Sequence, residues 1–432
     1  MNNLNFLVDV LKDSPVFKTL EKNVKPGRTV CASGLSTINK SNIIYALCRL
    51  KGVTAFCLAS DEKEAQTLCN DLSCMGLRAY VYPVRDFNFL DFQSRSHEYE
   101  HARLKVLLKL INHECDVAIA CVDAAAQLTV PRNVLEQSVI EFEEGRELSL
   151  EKATKALTLL GYERFDAVEG SGQFSLRGGI LDFFMPDSDY PVRCEFWGDE
   201  ITDLSYFDIE TQRRFKKADK ITLSPSTEIV IEDRAALADK IEHKAKLLRS
   251  KNSAKAKEKL FSEAELIRSG AMIANADKFI NQIYDKPESL FDYLDRNTLV
   301  FASEFTAIQE RGKSMDFISN ETLMQGVEDG TLCRGFDRFA LTFNECTEFL
   351  QSHGTIVLEN FVHGSMPIKL SEIISFSTKQ LSAWGGSYKQ LKEDVDGLFT
   401  PESKGVIFAG TERAAKNLCD TFNADGINAV YS

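Results

Sequence analysis

The strongest constraint on the fold is the alternation of short apolar segments with amphipathic segments over the first 125 residues. The apolar segments are predicted strands at residues 29–32, 53–59, 80–84 and 116–121. The amphipathic segments between them are predicted helices at residues 39–50, 62–74 and 98–112. Parallel strands need long crossover connections, and helices in those connections cover both faces of the sheet. We therefore expect an α/β domain built on a parallel sheet.

This pattern changes after residue 128, where short strands separated by Gly and Asp begin. Arg177-Gly178-Gly179 lies between two β-rich segments and predicts a hairpin. An apolar strand at 297–301 is expected to return to the parallel sheet. We predict a first domain at 1–128 and 217–370, with a small, mainly antiparallel α+β domain inserted at 129–216. A further small α/β domain is expected at 371–432, with strands at 405–409 and 429–431 around a helix at 413–422.

Composition narrows the classes of function that the chain can have. The net charge is −13, which disfavours a protein whose main task is to coat nucleic acid. Residues 240–259 are an exception, with eight Lys or Arg against two Glu, and we interpret them as a solvated helix surface or a DNA-backbone contact. The eleven cysteines contain no C-x-x-C pair and are expected to be reduced. No signal peptide or membrane span is evident, so a cytoplasmic protein is expected.

A degenerate phosphate-binding loop follows the first predicted strand and opens the first helix of the sheet. The loop pattern is G-x-x-x-x-G-K-[ST], and Gly34, Lys40 and Ser41 match it. Asn39 occupies the position of the second glycine, where a side chain fills the space that a phosphate needs. The loop therefore departs from the pattern at a position that matters for nucleotide binding.

The metal-holding part of a nucleotide site is also altered. Such sites carry an acidic residue after a second strand to hold Mg²⁺. The best candidate here is the segment 299–305, in which Ser303 replaces the expected Asp and Glu304 remains. The two departures together predict a nucleotide site that no longer works.

The segment from His97 to His101 matches the zinc-protease pattern H-E-x-x-H at the start of a helix, with Glu98 as the general base. The extended pattern needs Gly at position 104 and His at position 107, and both are Leu. We favour two partly exposed histidines at a helix start and no metal site. A zinc metalloprotease is the alternative, which metal analysis would distinguish.

One predicted strand has the residue alternation of a binding surface. Alternate residues of a strand share a face, and the core face holds Val192, Cys194 and Phe196. The opposite face holds Arg193, Glu195 and Trp197, and Arg177 has the same outward position on a neighbouring strand. Exposed Trp and Arg are typical of binding hot spots. From periodicity alone, a Trp packed under a loop with an Arg stacked on it remains open.

Three motifs carry a resemblance to a known family: Gly172-Gln-Phe-Ser-Leu-Arg-Gly-Gly-Ile-Leu-Asp182, Pro191-Val-Arg-Cys-Glu-Phe-Trp197 and Phe207-Asp-Ile-Glu-Thr-Gln-Arg213. They resemble the module shared by the nucleotide-excision-repair B subunit and transcription-repair coupling factors. The altered phosphate loop is closer to the coupling factors, because the B subunit keeps an intact loop. The resemblance covers residues 1 to about 350 well and the rest weakly.

The resemblance implies a function by binding, with no catalytic or metal-binding residues in this chain. The inserted domain would recruit the excision-repair A subunit, with Arg177, Arg193 and Trp197 at positions that contact it. The family often has Phe at the Trp197 position. The chain would be the N-terminal part of a longer ATP-dependent DNA translocase, a helicase-like hydrolase that displaces stalled RNA polymerase. Contacts with RNA polymerase and duplex DNA, and the use of ATP and Mg²⁺, would then lie beyond Ser432. The C-terminal part of the protein would also contact and cover the A-subunit surface.

Overall fold

The computed structural model describes residues 5–85, 97–249, 253–270, 276–328, 332, 335–336, 338–361, 366, 368–378, 384–400, 403, 405–409 and 411–431. The strands in these ranges are β1 (Val30–Ser33), β2 (Ala55–Ala59), β3 (Ala79–Tyr82), β4 (Val117–Cys121), β5 (Ile140–Glu143), β6 (Glu163–Arg164), β7 (Gln173–Arg177), β8 (Ile180–Phe183), β9 (Val192–Trp197), β10 (Glu200–Phe207), β11 (Arg214–Lys217), β12 (Lys220–Leu223), β13 (Leu299–Ser303), β14 (Thr355–Glu359) and β15 (Glu372–Ser375).

The α-helices are α1 (Asn5–Asp13), α2 (Pro15–Asn23), α3 (Thr37–Lys51), α4 (Glu62–Cys74), α5 (Glu98–Ile111), α6 (Val122–Ala126), α7 (Arg132–Gln137), α8 (Leu150–Leu159), α9 (Arg234–Leu247), α10 (Ser253–Ser269), α11 (Ile280–Ile283), α12 (Phe305–Glu328), α13 (Phe343–His353), α14 (Tyr388–Leu398) and α15 (Glu412–Ala424). Short 3₁₀ helices occur at Ala276–Phe279 and Leu290–Tyr293. Within the described ranges, every helix is too short or too polar to cross a lipid bilayer.

A seven-stranded parallel sheet forms the first domain, with the order β15-β1-β14-β13-β2-β4-β3. Alternate residues of β2 enter two different apolar clusters: Phe56 and Leu58 pack on one face, and Ala55, Cys57 and Ala59 pack on the other. Both faces are therefore buried under helices, as expected for parallel strands. The predicted α/β fold is confirmed.

Side chains at the helix starts explain where several helices begin. Asp61 accepts a hydrogen bond from the Glu64 amide at the start of α4, and Ser149 accepts one from the Lys152 amide at the start of α8. Such N-caps satisfy amides that have no partner inside the helix. Helix α4 therefore begins directly after β2. It places Glu64 at the edge of the sheet where the loop from Gly34 to Ser41 lies.

The edge strand β15 corrects the predicted start of the last domain at residue 371. Its residues pair with β1 in parallel register, and Ile374 packs in the core of the sheet. Arg28 also forms an ion pair with Glu372 at 3.1 Å. This strand belongs to the first domain because its apolar side chain and its backbone hydrogen bonds are satisfied there.

A six-stranded sheet forms the inserted domain, with the order β11-β10-β9-β8-β7-β6. Its neighbouring strands are antiparallel except β6 and β7, and the turn at Gly178-Gly179 joins β7 to β8. The predicted end of this domain at residue 216 is corrected, because β12 pairs with β5 of the same domain. Ile221 and Leu223 of β12 also pack in its core, together with Phe142 of β5.

A buried arginine holds together the two segments through which the chain passes between the domains. Arg103 is fully buried, and its Nε donates to Glu228 Oε1 at 2.7 Å. Thr129 donates to Glu228 Oε2 at 2.7 Å, and Gln127 accepts from Arg103 Nη1 at 2.8 Å. A buried charge is stable only when it is paired and hydrogen-bonded. The inserted domain is therefore held to the first domain at both of its ends.

The last part of the chain differs from the predicted strand–helix–strand order. The predicted helix is present as α15, and it packs against α14 through the rings of Tyr388 and Phe422, whose centroids are 5.4 Å apart. The predicted strands at 405–409 and 429–431 are wrong, because neither segment forms strand pairing with any described residue. Apolar sequence alone does not make a strand when no neighbouring strand supplies hydrogen-bond partners.

Candidate functional site

The phosphate-loop lysine is buried among acceptors that belong to the protein itself. Lys40 Nζ lies 2.5 Å from Glu304 Oε1 and 3.5 Å from Glu64 Oε1, and it donates to Ser303 Oγ at 3.0 Å. Ser303 also donates to Glu64 Oε1 at 2.5 Å. The predicted residues Lys40, Ser303 and Glu304 are thus brought together where helix α3 begins and strand β13 ends. The positive charge that a nucleotide phosphate would need is neutralised inside the fold.

The other loop residues have structural partners. Gly34 has φ +78°, and a Cβ there would lie 2.1 Å from the carbonyl oxygen of Phe376, just after β15. Asn39 Nδ2 donates to Ser36 Oγ at 2.6 Å, and Ser41 Oγ donates to Asp71 Oδ2 at 2.8 Å. The conformation of the loop is therefore set by contacts within the protein, both inside the loop and with neighbouring segments.

Glu304 has a strained backbone, with φ +57° at a residue that is not glycine. Its carboxylate holds this conformation by pairing with Lys40 and by accepting from the Asn360 amide at 2.9 Å. Strained residues cluster at functional sites, where surrounding contacts hold them in place. The contacts with Lys40 and Asn360 therefore hold Glu304 in its strained conformation.

A buried acid that sequence reasoning did not single out completes this cluster. Glu359 lies at the end of β14, between β1 and β13, and accepts from the Phe305 amide at 2.8 Å. Burial, followed by the negative charge of Glu304, raises the pKa of Glu359 to about 7. Only the strand order, in which β14 separates the loop strand from β13, places this carboxyl here.

The two histidines of the zinc-protease pattern lie at the boundary between the two domains. His97 Nδ1 is 2.9 Å from Glu100 Oε2, and the rings of His97 and His101 stack with centroids 5.9 Å apart. Burial lowers the pKa of His101. In the ranges that the structure describes, no group of three His, Cys, Asp or Glu side chains is placed to hold a metal ion. Since a catalytic zinc needs three protein ligands, this geometry gives the metalloprotease alternative no support.

The close packing of Gly172 against His101 explains why the histidines face the inserted domain. Gly172 has φ +78°, and a Cβ there would lie 2.5 Å from His101 Cε1. Both residues line a cavity of about 410 Å³, together with Glu98 and Glu163. The first glycine of the Gly172–Asp182 motif therefore serves the contact between the domains.

The outer face of the inserted sheet carries a buried acid between two arginines. Arg193 donates to both carboxylate oxygens of Asp182 at 2.7 and 2.8 Å, and Arg177 donates to Asp182 Oδ2 at 2.7 Å. The Asp182 side chain is 1% exposed, that of Arg193 is 13% exposed and that of Arg177 is 49% exposed. Arg193 also stacks on the Phe207 ring at 4.4 Å. Arg193 thus lies on the outer face, as expected, but its pairing with Asp182 leaves most of its side chain covered.

Gln212 provides a second anchor for Arg193. Its carbonyl oxygen and its side-chain oxygen accept from Arg193 at 3.2 and 3.1 Å, and its φ is +59°. Both Asp182 and Gln212 lie within the motifs found in the sequence, but no role was assigned to them there. The missing information was the register that sets Asp182 opposite Arg193.

Trp197, at the end of β9, has the exposed position that a binding hot spot needs. It is 82% exposed, whereas Val192, Cys194 and Phe196 on the other face are buried. The predicted division of this strand into two faces is confirmed, and the alternative of a Trp packed under a loop is wrong. The outer face of the sheet therefore carries a paired arginine–aspartate array and, at the end of β9, an exposed aromatic ring.

The inserted domain is similar to a family of known proteins. Residues 140–229 match the family model described as the UvrB interaction domain. The matched segment runs from β5 through β12 and includes Arg177, Arg193 and Trp197. It also supports the correction that places β12 in the inserted domain.

Over a longer span, the chain is similar to transcription-repair-coupling factors. It is 26% identical over 428 residues to that of Bacillus subtilis (strain 168), covering 96% of this chain and 36% of the relative. Identity is 24% over 371 residues to that of Staphylococcus epidermidis (strain ATCC 12228) and 21% over 426 residues to that of Staphylococcus aureus (strain USA300), covering 81% and 96% of this chain and 30% and 36% of those relatives. The chain spans about a third of the length of these relatives. The resemblance predicted from the motifs is confirmed.

Proposed function

We propose that this chain acts in transcription-coupled DNA repair by recruiting the excision-repair A subunit through the outer face of the inserted sheet. The carrying observation is the exposed Trp197 ring at the end of β9, the strand that also holds Arg193 of the Arg177–Asp182–Arg193 array. The match to the UvrB interaction domain and the similarity to coupling factors support a role in repair. In this proposal, displacement of RNA polymerase and ATP-driven movement on duplex DNA belong to a longer protein.

The three proposed docking residues have different tasks. Trp197 is the anchor, because its ring is exposed in this chain and a partner that covers it would bury a large apolar surface. Arg177 keeps half of its side chain exposed, so it can donate further hydrogen bonds to a partner. Arg193 acts as a positioning residue, since its guanidinium is already used by Asp182 and Gln212.

A titration of the chain with the A subunit by calorimetry tests this proposal. We expect Trp197→Ala to weaken binding by about 30-fold, the effect of about 2 kcal/mol at a hot spot. Phe215→Ala is the matched control, because Phe215 is also an exposed aromatic residue of the same domain but lies near the opposite end of the sheet. Equal affinity of the Trp197 variant and the unmodified chain would remove the assigned site.

The geometry around Lys40 supports a second element of the proposal, namely that this chain does not bind ATP. A phosphate would have to displace Glu304 and Glu64 from Lys40, and Gly34 is covered by Phe376. Calorimetry with Mg-ATP should show no heat of binding, and phosphate release should stay at background. A micromolar dissociation constant would contradict the proposal.

The docking surface also suggests regulation in a longer protein. An exposed Trp on a face that also carries arginines is an adhesive patch, and we propose that the C-terminal part of the protein covers it until polymerase is engaged. If the open form made up about 1%, the longer protein would bind the A subunit about 100-fold more weakly than this chain. Equal affinities of the two proteins would rule out this cover.

A further inference from the structure

Helix α12 is fixed to the first domain along one side. Gly312 faces the ring of Phe343, and a Cβ at that glycine would lie 2.1 Å from the ring carbon Cδ2. Asp316 accepts a hydrogen bond from the Phe343 amide at 3.1 Å. Further along the helix, Gly326 packs against Leu332, where an added Cβ would lie 2.7 Å from a methyl carbon. These contacts set which side of the helix meets the protein and therefore which side faces solvent.

The opposite side of α12 carries large apolar side chains that the fold leaves exposed. Phe317 is 67% exposed and Met324 is 65% exposed, and because they are about two turns apart they lie on one face. This face is about 140° around the helix from Gly312, at about 100° per residue. Ile318 and Val327 are exposed at its two margins. Exposed apolar side chains grouped in this way mark interaction sites.

Three carboxylates lie beside the exposed apolar side chains. Glu310, Glu321 and Glu328 are exposed, and their spacing places them along the same face of the helix. In the part of the chain that the structure describes, none of the three forms an ion pair. Arg311 pairs with acids of neighbouring segments, so Lys313 is the one exposed cation in the span 310–328. We call the following residues the α12 face: Glu310, Phe317, Glu321, Met324 and Glu328.

The charge of the α12 face restricts the partners that suit it. A polyanion such as nucleic acid is repelled by the three carboxylates. A second copy of the chain is also disfavoured: when Phe317 lies level with Met324 of an antiparallel copy, Glu321 lies beside Glu321 of that copy. Like charges that meet across an interface are unfavourable, whereas a positively charged partner is complementary.

We propose that the α12 face binds an amphipathic helix of a partner protein, one whose apolar stripe is flanked by Lys or Arg. Apolar side chains three and four residues apart on that helix pack on Phe317 and Met324, and the flanking cations pair with the glutamates. The span 310–328 is about 27 Å long, which matches a partner helix of about 18 residues. This surface is separate from the docking face of the inserted sheet, because α12 belongs to the first domain.

Two synthetic helices of about 20 residues test this proposal by fluorescence anisotropy on the whole chain. Both carry the same leucine stripe, and the flanking residues are Lys in the basic peptide and Glu in the acidic peptide. We expect the basic peptide to bind saturably with a micromolar dissociation constant, and the acidic peptide to bind at least about 100-fold more weakly.

Two test variants assign the binding to the α12 face. Phe317→Ala/Met324→Ala should weaken binding of the basic peptide by about 30-fold, as the loss of a hot-spot residue does. Glu321→Gln/Glu328→Gln should weaken it by about tenfold at low salt and remove most of its salt dependence. The glutamate variant remains as the test if circular dichroism shows that the apolar variant is misfolded.

The matched controls change residues of the same kinds on other helices. Leu159→Ala/Leu266→Ala removes two exposed apolar side chains, and Glu151→Gln/Glu412→Gln removes two exposed carboxylates. We expect both control variants to bind the basic peptide as the unmodified chain does.

The proposal is overturned if the basic peptide does not bind at about 100 µM, if the acidic peptide binds equally well, or if both test variants bind like the unmodified chain. Sedimentation velocity detects a competing occupant: a dimer that Phe317→Ala/Met324→Ala dissociates would show that a second copy covers the face. Weaker peptide binding by a longer protein that contains this chain would show that the remainder of that protein covers it. Either result would overturn the choice of a separate partner.

Discussion

Replacement of Arg193 by alanine should destabilise the inserted domain as well as alter its docking face. Arg193 makes two short hydrogen bonds to Asp182, whose side chain is 1% exposed. Breaking a buried ion pair on one side costs about 3–5 kcal/mol, because the remaining charge stays buried. Arg177 still donates one hydrogen bond to Asp182, so we expect the lower end, about 3 kcal/mol. That corresponds to about 150-fold in the opening equilibrium of the domain.

Hydrogen exchange measured by mass spectrometry on peptides from β8 to β10 reports this opening directly. The second variant is Arg193→Ala/Asp182→Asn, which removes the buried negative charge and should recover part of the lost protection. Arg177→Ala should cost less than 1 kcal/mol, because that side chain is half exposed. The argument from the buried acid would fail if Arg193→Ala changed the free energy of opening by less than about 0.5 kcal/mol. It would also fail if adding Asp182→Asn restored none of the lost protection. Loss of A-subunit binding by Arg193→Ala alone therefore cannot locate the docking site, whereas Trp197→Ala can.

Three further outcomes follow from the cluster around Lys40 and the loop that begins at Gly34. The raised pKa of Glu359, about 7 against an ordinary 4.5, means that the folded state holds a proton which the unfolded state releases, so stability should fall as pH rises from about 4.5 to about 7; urea titrations at several pH values should show a smaller fall for Glu359→Gln. Gly34→Ala should destabilise the sheet edge by about 2 kcal/mol or more, because the residue has positive φ and its Cβ would meet the Phe376 carbonyl; unchanged exchange in β15 would refute this. Lys40→Ala should lower the melting temperature in the absence of nucleotide, because it leaves the carboxylates of Glu304 and Glu64 without their cation. An unchanged melting temperature would show that these ion pairs contribute nothing to stability.

The sequence predicted those features that depend on neighbours along the chain. Apolar segments of four to seven residues alternating with helices predicted the parallel sheet, and the structure has β1, β2 and β4 within two residues of the expected positions. Asn39 in place of glycine, and Ser303 in place of an acid, predict an altered phosphate loop, and this stays a prediction. Alternation along β9 placed Trp197 on the outer face, because successive side chains of any strand point to opposite sides.

Other features needed the tertiary structure, because they join residues that are far apart in the sequence. Lys40 is neutralised by Glu304, 264 positions away, and only the sheet order brings these two side chains together. Asp182 turns Arg193 from an expected contact residue into an internal one, because the register of β8 against β9 sets them opposite each other. Helix and strand periodicity assigns a side chain to a face, but the charge that meets it there depends on packing between distant segments. The sequence alone therefore determined the kinds of domain and the exposed tryptophan, whereas the assembled sheets decided which charges are buried.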